Sequence, residues 1–249
     1  GQGCIDATRL PGIEGPTIVC TQAGNLNTGG FDPVGDICDA VKAKGAWVHV
    51  DGAFGLWAAA SPELAHLCNG LQAADSWATD AHKWLNVPYD CGVAFVRDAP
   101  ALKAAMSITA DYLITETENR NPSDYTPELS RRARGVDVWA ALKSLGRSGL
   151  AEMLDRCCSN ARRFADGLEK AGFEILNDVK LNQVLVSFGD DARTRKIIDA
   201  IQADGTCWCG VTVWQGHTAM RISVSNWSTT PADVDLSLAA IVRIAGDMP

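Results

Sequence analysis

The first half of the chain carries short apolar runs that are rich in β-branched residues. Runs of this kind are typical of strands buried on both faces of a sheet. Four strands are predicted, at Thr17–Thr21, Ala46–Val50, Ser76–Thr79 and Cys91–Val96.

A helical spacing of apolar residues appears between the first two runs. Positions separated by three, four and seven residues share one helix face, and this spacing joins Val34, Ile37, Cys38 and Val41. We expect Asp32 to cap this helix, Pro33 to occupy its first position and Gly45 to end it. A further short helix is expected at Pro62–Leu71. Because strands alternate with helices, the pattern predicts an α/β fold with a mostly parallel sheet and helices on both faces.

The second half of the chain has a different character. Asp111–Ser130 is polar and aperiodic, which predicts a long loop, and long loops in compact domains are often functional. Helices are expected at Val136–Leu145 and Leu150–Lys170, followed by a smaller α+β unit. The predicted elements of that unit are strands at Phe173–Leu176, Val184–Phe188, Gly210–Trp214 and Met220–Val224, and helices at Arg195–Ala203 and from Thr230 onward. We therefore divide the chain into residues 1–130 and 131–249.

Composition and charge narrow the possible partners. The 249 residues are 47% hydrophobic and 21% charged, which is usual for a soluble globular protein. The net charge of −8 argues against a nucleic-acid or anionic-membrane partner, since either would need basic patches. No stretch has the apolar length of a membrane span, and no leader peptide is recognised at the first residues.

Nine cysteines are an odd number without a disulfide framework spacing. They are expected to be reduced thiols of a cytoplasmic protein that act as small core residues. Cys157-Cys158 and Cys207-Trp208-Cys209 could suggest redox or metal chemistry. Neither has the two-residue spacer of a zinc or thioredoxin motif, so no metal site is predicted.

Two predicted strand ends carry residues that could take part in catalysis. Asp51 ends one strand and is followed by the small residues Gly52 and Ala53, while Lys83 follows the next strand. A neutral lysine amine captures carbonyl groups, and a carboxylate can keep a pyridine ring protonated so that the ring accepts electrons. The alternative is a lysine that ends a strand and an aspartate that caps a turn, because Asp-Gly turns are common. The spacing alone leaves both open.

Several strings resemble the group II amino-acid decarboxylases, which depend on pyridoxal-5′-phosphate (PLP). The matching strings are HVDGAFG, TDAHKWLNVPYDCGVAFVRD, the upstream glycine-rich TQAGNLNTGGFDP and the downstream LSRRARGVDVWAALKSLGRSGL. They occur in the family's order, and the similarity runs from about Pro16 to Pro249. The resemblance implies a fold-type-I PLP enzyme. Residues 1–130 would be the later half of the PLP-binding large domain, and residues 131–249 a linking helix and the C-terminal small domain.

The resemblance also implies roles for individual residues. Lys83 would hold PLP as a Schiff base, Asp51 would pair with the pyridine nitrogen, and Ala53 would pack under the ring. His82 would lie near the phosphate or the Schiff base; its alternative is a hydrogen-bonded structural histidine.

Other site residues match the family less closely. Asp80 stands where relatives often carry Asn or Ser, and is expected to act through its backbone N–H or by orienting His82. Asn25 lies in the glycine-rich turn as a cofactor-binding candidate. Tyr125 sits roughly where the family's loop tyrosine protonates the carbanion, and a packing tyrosine is the alternative. Arg221 could meet a substrate carboxylate, although we favour a strand-edge arginine.

The reaction implied by the resemblance is α-decarboxylation of a small-molecule L-amino acid. The alternatives are a PLP-dependent aminotransferase or carbon–carbon lyase, or a non-catalytic fragment with an incomplete site, since relatives carry substantial sequence before the equivalent of Gly1. Family members form their active sites at a two-fold interface, so a homodimer is expected for the full-length form.

Overall fold

Two four-stranded sheets organise the chain. The computed structural model describes residues 1–108 and 119–248. In the first sheet the strands follow the order β1 (Ile18–Gln22), β2 (Trp47–Asp51), β3 (Ser76–Asp80) and β4 (Gly92–Val96). The strands β1, β2 and β3 are parallel, whereas β4 runs antiparallel to β3. All four strands lie where the sequence predicts them.

Helix α1 (Val34–Val41) packs on one face of this sheet. The four apolar residues of its predicted face are buried and cluster with Val48 and Val50 of β2. On the opposite face, Ile18 is 69% exposed. The predicted cap was wrong, because Pro33 precedes the helix without a side-chain cap. Asp32 instead accepts long-range bonds from the backbone N–H groups of Ile5 and Gln22, at 2.7 and 2.6 Å.

The helix predicted at Pro62–Leu71 is absent from this described segment. Two short 3₁₀ turns lie in its place, at Ala65–Cys68 and Leu71–Ala73, and a third precedes it at Gly55–Ala60. Gly70 explains part of the difference, because its φ of +87° lies in the left-handed region and interrupts helical geometry. A side chain there would also meet the backbone nitrogen of Gly35 at 2.8 Å. Close packing against α1 therefore overrides the local apolar spacing.

The region of the predicted long loop follows helix α2 (Ala99–Met106), which Asp98 caps. Residues 111–118 of that loop lie outside the described residues. Its later part contains a 3₁₀ turn at Pro122–Tyr125, and the Lys103 amine of α2 lies 2.8 Å from the Asp124 carboxylate in that turn.

The long helix α3 (Arg134–Lys170) connects the two sheets. Two helices were predicted here, at Val136–Leu145 and Leu150–Lys170, and the element consists of two helical parts that meet at a kink at Gly146, with φ 63° and ψ −173°. Glycine can adopt this conformation because it has no side chain, so the predicted division into two helices is confirmed.

The second sheet is antiparallel and follows the order β5 (Glu174–Ile175), β6 (Gln183–Ser187), β8 (His217–Ser223) and β7 (Gly210–Trp214). Helices α4 (Asp191–Asp204) and α5 (Pro231–Gly246) pack with it, and a reciprocal capping box between Thr230 and Asp233 begins α5. One continuous core joins this unit to Trp84 and to the second half of α3. Among the described helices, none has the length and apolarity to cross a membrane.

Candidate functional site

The carboxyl ends of β1, β2 and β3 meet at one edge of the first sheet. In open parallel sheets, ligands bind beyond this edge. Asp51 is the last residue of β2 and is exposed. Its Oδ1 accepts a bond from the Ala53 N–H at 3.0 Å, and no second partner of its carboxylate is observed in the described part of the chain. The turn therefore orients Asp51 and leaves acceptor capacity for a ligand.

Asp80 links this turn to the predicted lysine. Its backbone N–H donates to the Ala53 carbonyl at 2.9 Å, so this N–H is paired within the fold. The Asp80 Oδ2 lies 3.0 Å from the Lys83 amine and 3.8 Å from His82 Nε2. The carboxylate therefore pairs first with Lys83 and only then approaches His82.

Lys83 lies in a turn above an apolar floor. Its side chain is 38% exposed, while the following Trp84 and Leu85 are buried in the core shared with α3. The apolar flank seen in the sequence thus anchors the turn and leaves the amine accessible. An accessible amine held by a carboxylate can be presented to a carbonyl compound at this edge.

His82 is fixed against the backbone on one side and against an aromatic ring on the other. Its Nδ1 lies 3.0 Å from the Cys91 carbonyl oxygen and 3.1 Å from the Cys91 amide nitrogen, so the ring has a backbone partner in either tautomer. The ring of Tyr89 lies 4.1 Å away between centroids. Sequence reasoning did not select Tyr89, because stacking of residues seven positions apart in a turn leaves no periodic signal.

The glycine-rich turn after β1 borders the same edge. Asn25 uses both ends of its amide within this region: it donates to the Gln22 side chain at 3.0 Å and accepts from the Asn27 N–H at 3.0 Å. Gly24 has a φ of +93°, and a side chain on it would meet the Gly55 Cα at 3.0 Å. The turns after β1 and β2 therefore touch backbone to backbone, which positions Asn25 beside the Asp51 segment.

Asn86 connects the lysine turn to the segment that follows β8, and sequence reasoning missed it. Its φ is 56°, a conformation that asparagine tolerates better than most residues. Its side-chain amide donates to the carbonyls of Lys83 at 2.7 Å and Ser225 at 2.9 Å, and its oxygen accepts from the Trp227 N–H at 2.9 Å. The only signal in the sequence was an asparagine that follows Trp84 and Leu85 at a predicted turn.

Arg221 lies in β8, which is an interior strand, so the favoured interpretation as a strand-edge arginine was wrong. Its partner across the ladder is Gly210 of β7. Two residues further along β7 and on the same face, the Thr212 hydroxyl donates to Asn27 in the glycine-rich turn at 2.9 Å. Burial lowers the pKa of Arg221, and its Nε has no partner among the described residues.

Tyr125 is not brought to this edge by any contact observed in the described residues. Its ring lies under the guanidinium of Arg120, with the carbon 4.2 Å from the ring centroid, and its turn packs on α2 through Lys103 and Asp124. The other predicted site residues, namely Asn25, Asp51, Ala53, Asp80, His82 and Lys83, are joined by the contacts above.

Comparison with known proteins identifies the family of this chain. Residues 12–189 match the family described as the pyridoxal-dependent decarboxylase conserved domain. The chain belongs to this family. The resemblance drawn from the sequence is therefore confirmed.

Individual relatives of this decarboxylase family extend the match. Tyrosine/DOPA decarboxylase 5 of Papaver somniferum is 36% identical over 169 residues, which cover 65% of this chain and 32% of the relative. Phenylacetaldehyde synthase of Petunia hybrida is 27% identical over 242 residues, which cover 89% of this chain and 48% of the relative. The chain spans less than half the length of either relative.

Solved structures agree with the fold. The crystal structure of Oryza sativa TDC with PLP and tryptamine superposes with a TM-score of 0.87 at 25% identity, covering 93% of this chain and 51% of that one. Rhodiola rosea 4-hydroxyphenylacetaldehyde synthase gives a TM-score of 0.81 at 26% identity. The predicted fold class, that of the fold-type-I PLP-dependent enzymes, is confirmed.

The residues at the edge fit PLP. An accessible lysine amine, a carboxylate with an oxygen to spare and a small side chain between them are the donor set that a pyridine aldehyde requires. Asp51, Ala53 and Lys83 provide these three features.

Proposed function

We propose that this chain carries part of the site of a PLP-dependent carboxy-lyase that decarboxylates an L-amino acid. The observation that carries the proposal is the pair formed by Lys83 and Asp80 at the carboxyl edge of the first sheet, in a chain of the decarboxylase family. Asp51 ends β2 and Lys83 lies in the turn that follows the neighbouring strand β3, an arrangement that suits a flat ring held between them.

Each residue at the edge has a physical task in this proposal. Lys83 would hold the cofactor through its amine, Asp51 would hold a proton on the pyridine nitrogen, and Ala53 would support one face of the ring. When bound, PLP supplies an electron-accepting ring that stabilises the carbanion left by departing carbon dioxide. Asp80 orients the Lys83 amine from 3.0 Å.

His82 is the better placed of the two proton-donor candidates. It adjoins Lys83 in sequence, and its Nε2 faces the Asp80 carboxylate at 3.8 Å. Tyr125 instead contacts Arg120 and the α2 side of its loop. We therefore assign reprotonation of the product carbon to His82.

Arg221 is the group we assign to the substrate carboxylate. Arg221 is partly buried, and its buried Nε has no partner among the described residues, so an anion would satisfy it. Its face of the second sheet contacts the glycine-rich turn through Thr212 and Asn27. This contact supports the proposal that the positive charge of Arg221 faces the edge of the first sheet. The Papaver somniferum relative is named as a tyrosine/DOPA decarboxylase, so aromatic L-amino acids are the first substrates to test.

The domain division and the assembly follow the same proposal. The first sheet lies within residues 18–96 and the second within 174–223, which agrees with a cofactor-binding part at 1–130 and a linking helix with a small domain at 131–249. We also propose that the full-length protein is a homodimer. Val136 and Trp139 on α3 are exposed, and exposed apolar helix faces are commonly covered by another chain. The nine free thiols suit the cytoplasm.

Covalent trapping tests the central assignment. The full-length protein is loaded with PLP, reduced with borohydride and mapped by mass spectrometry. We expect the added mass on the peptide that contains Lys83, and its loss in Lys83→Ala. Lys42→Ala is the matched control and should keep the adduct, because Lys42 pairs with Asp75 away from the edge. Attachment at Lys42, Lys103 or Lys143 would overturn the assignment. Release of an amine and carbon dioxide, rather than a keto acid, distinguishes decarboxylation from transamination.

A further inference from the structure

Asp80 holds its carboxylate at the nitrogen atom through which Lys83 would react. The Asp80 Oδ2 lies 3.0 Å from the Lys83 Nζ, and both side chains stay partly exposed, at 29% and 38%. Among the described residues, no other carboxylate lies within 4.0 Å of that amine. A ligand that reaches the amine therefore meets the Asp80 carboxylate at the same time.

The backbone on both sides of this ion pair is fixed by hydrogen bonds. The Asp80 N–H donates to the Ala53 carbonyl at 2.9 Å, and the Asp80 carbonyl accepts from the Trp57 indole N–H at 3.1 Å. The Lys83 carbonyl accepts from the Asn86 side-chain amide at 2.7 Å. The end of β3 and the turn after it thus hold the carboxylate and the amine together, and no backbone movement is needed to bring them into contact.

An ion pair of this kind keeps the lysine in an unreactive form. The paired Lys83 amine is an ammonium, which has no lone pair with which to attack a carbonyl carbon. One proton must leave the nitrogen before a C–N bond can form, and a hydroxyl group must later gain a proton before it can depart as water. At 3.0 Å from the nitrogen, the Asp80 oxygen lies within the reach that a general acid or base requires.

We propose that Asp80 takes up and then returns the proton that Lys83 loses when it captures the aldehyde group of PLP, an inference that rests on the function proposed for Lys83. Asp80 first removes one proton from the ammonium. The nitrogen lone pair then forms the C–N bond, the carbonyl π pair moves onto oxygen, and a second proton passes from nitrogen to that oxygen. Asp80 finally protonates the resulting hydroxyl, the C=N bond forms, and the C–O bond breaks. One ammonium and one aldehyde become a protonated Schiff base and one water, without oxidation or reduction.

The rate of cofactor capture tests this proton transfer without any measurement of turnover. The full-length protein is stripped of cofactor, mixed with PLP and reduced with borohydride after set times, and the mass of the Lys83 peptide gives the rate. In Asp80→Asn the amide oxygen still accepts a hydrogen bond but takes no proton, so the rate should fall about a hundredfold, the lower end for general acid–base catalysis. Asp75→Asn is the matched control. It removes a lysine–aspartate pair of 2.7 Å away from the edge and should capture PLP at the wild-type rate.

Rescue by a small carboxylate separates proton transfer from positioning. In Asp80→Ala, added formate should reach the exposed amine and accelerate capture in proportion to its concentration, whereas chloride at the same ionic strength should not. The urea midpoint of each variant confirms that folded proteins are compared. Capture by Asp80→Asn at the wild-type rate or faster, or no acceleration of Asp80→Ala by formate, would show that Asp80 only positions the lysine and would overturn the inference. Wild-type protein without an adduct at Lys83 would instead overturn the proposed function, so the two failures are distinguishable.

Discussion

The strands of the first and second sheets differ in how much of their surface is buried. In the second sheet, β6 lies between two neighbours and four of its five residues are buried. In the first sheet, β1 is an edge strand with Ile18 69% exposed, and the strand ends carry Asp51, Asp80 and Lys83 in contact with solvent. The interior strand β6 is therefore buried along most of its length, whereas the first sheet has an exposed edge strand and presents polar groups at its strand ends.

Truncation of one apolar strand residue in each sheet tests this contrast most strongly. Leu185→Ala in β6 removes a fully buried side chain and should lower the free energy of unfolding by about 2–5 kcal/mol. Ile18→Ala in β1 is the matched control and should change it by less than about 0.5 kcal/mol. Urea unfolding measures both. Equal losses would show that β1 is buried in solution and that the contrast is wrong.

Asp51→Ala should lower turnover and leave the stability of the fold almost unchanged. Without the carboxylate the pyridine nitrogen of bound PLP loses its proton partner, so turnover should fall about a hundredfold, the usual size for one preorganised electrostatic contact. The urea midpoint should barely move, because Asp51 is exposed and its described bond is to Ala53 in its own turn. The borohydride adduct at Lys83 should remain. Unchanged turnover would mean that Asp51 only caps the turn.

Gly55→Ala should lower both the stability of the fold and the affinity for PLP. A side chain on Gly55 would collide with the Ala23 backbone, where the turns after β1 and β2 meet, and overpacking of this kind costs about 1–3 kcal/mol. PLP affinity should weaken with stability, since the collision separates the glycine-rich turn from the Asp51 segment. Gly135→Ala has open space around it and should leave both unchanged. A neutral Gly55→Ala would show that the two turns do not touch.

The smallest expected effect is at Asp75, which ties β2 to β3. Burial raises the pKa of Asp75, but bonds from Lys42 and from the Val48 N–H outweigh it and leave the pKa below its ordinary value of 3.8. A lowered folded pKa means stabilisation that is present above 3.8 and lost as the pH falls through the lower, folded value. Asp75→Asn should cost about 1 kcal/mol at neutral pH, and unfolding curves of variant and wild type should converge in acid. A gap that does not change with pH would exclude the ion pair as its source.

The sequence predicted those features whose cause is local. Residues of one strand or one helix face appear as alternation or as a repeat of three and four, so β1–β4, the buried face of α1 and the start of α5 could be read directly. The shared location of Asp51 and Lys83 could also be predicted from the sequence, because parallel strands end at the same edge of a sheet.

Features with distant causes could not be predicted. Asp32 resembles a helix cap, yet its partners lie 10 and 27 residues away. The 3₁₀ turns around Gly70 depend on its approach to Gly35, which no pattern within the segment reveals. The pairing of Asp80 with Lys83 has helical spacing but occurs in a turn, so its geometry required the fold.

Asn86 shows how much an exposed position can be constrained. It must adopt a positive φ, donate hydrogen bonds to the Lys83 and Ser225 carbonyls, and accept a hydrogen bond from the Trp227 N–H. Glycine meets only the first demand, aspartate has no proton to donate, and glutamine is longer and less tolerant of that backbone conformation. Asparagine meets all three demands, and none of these substitutes does. Solvent exposure therefore does not make position 86 tolerant of these changes, because its side chain ties the lysine turn to the segment after β8.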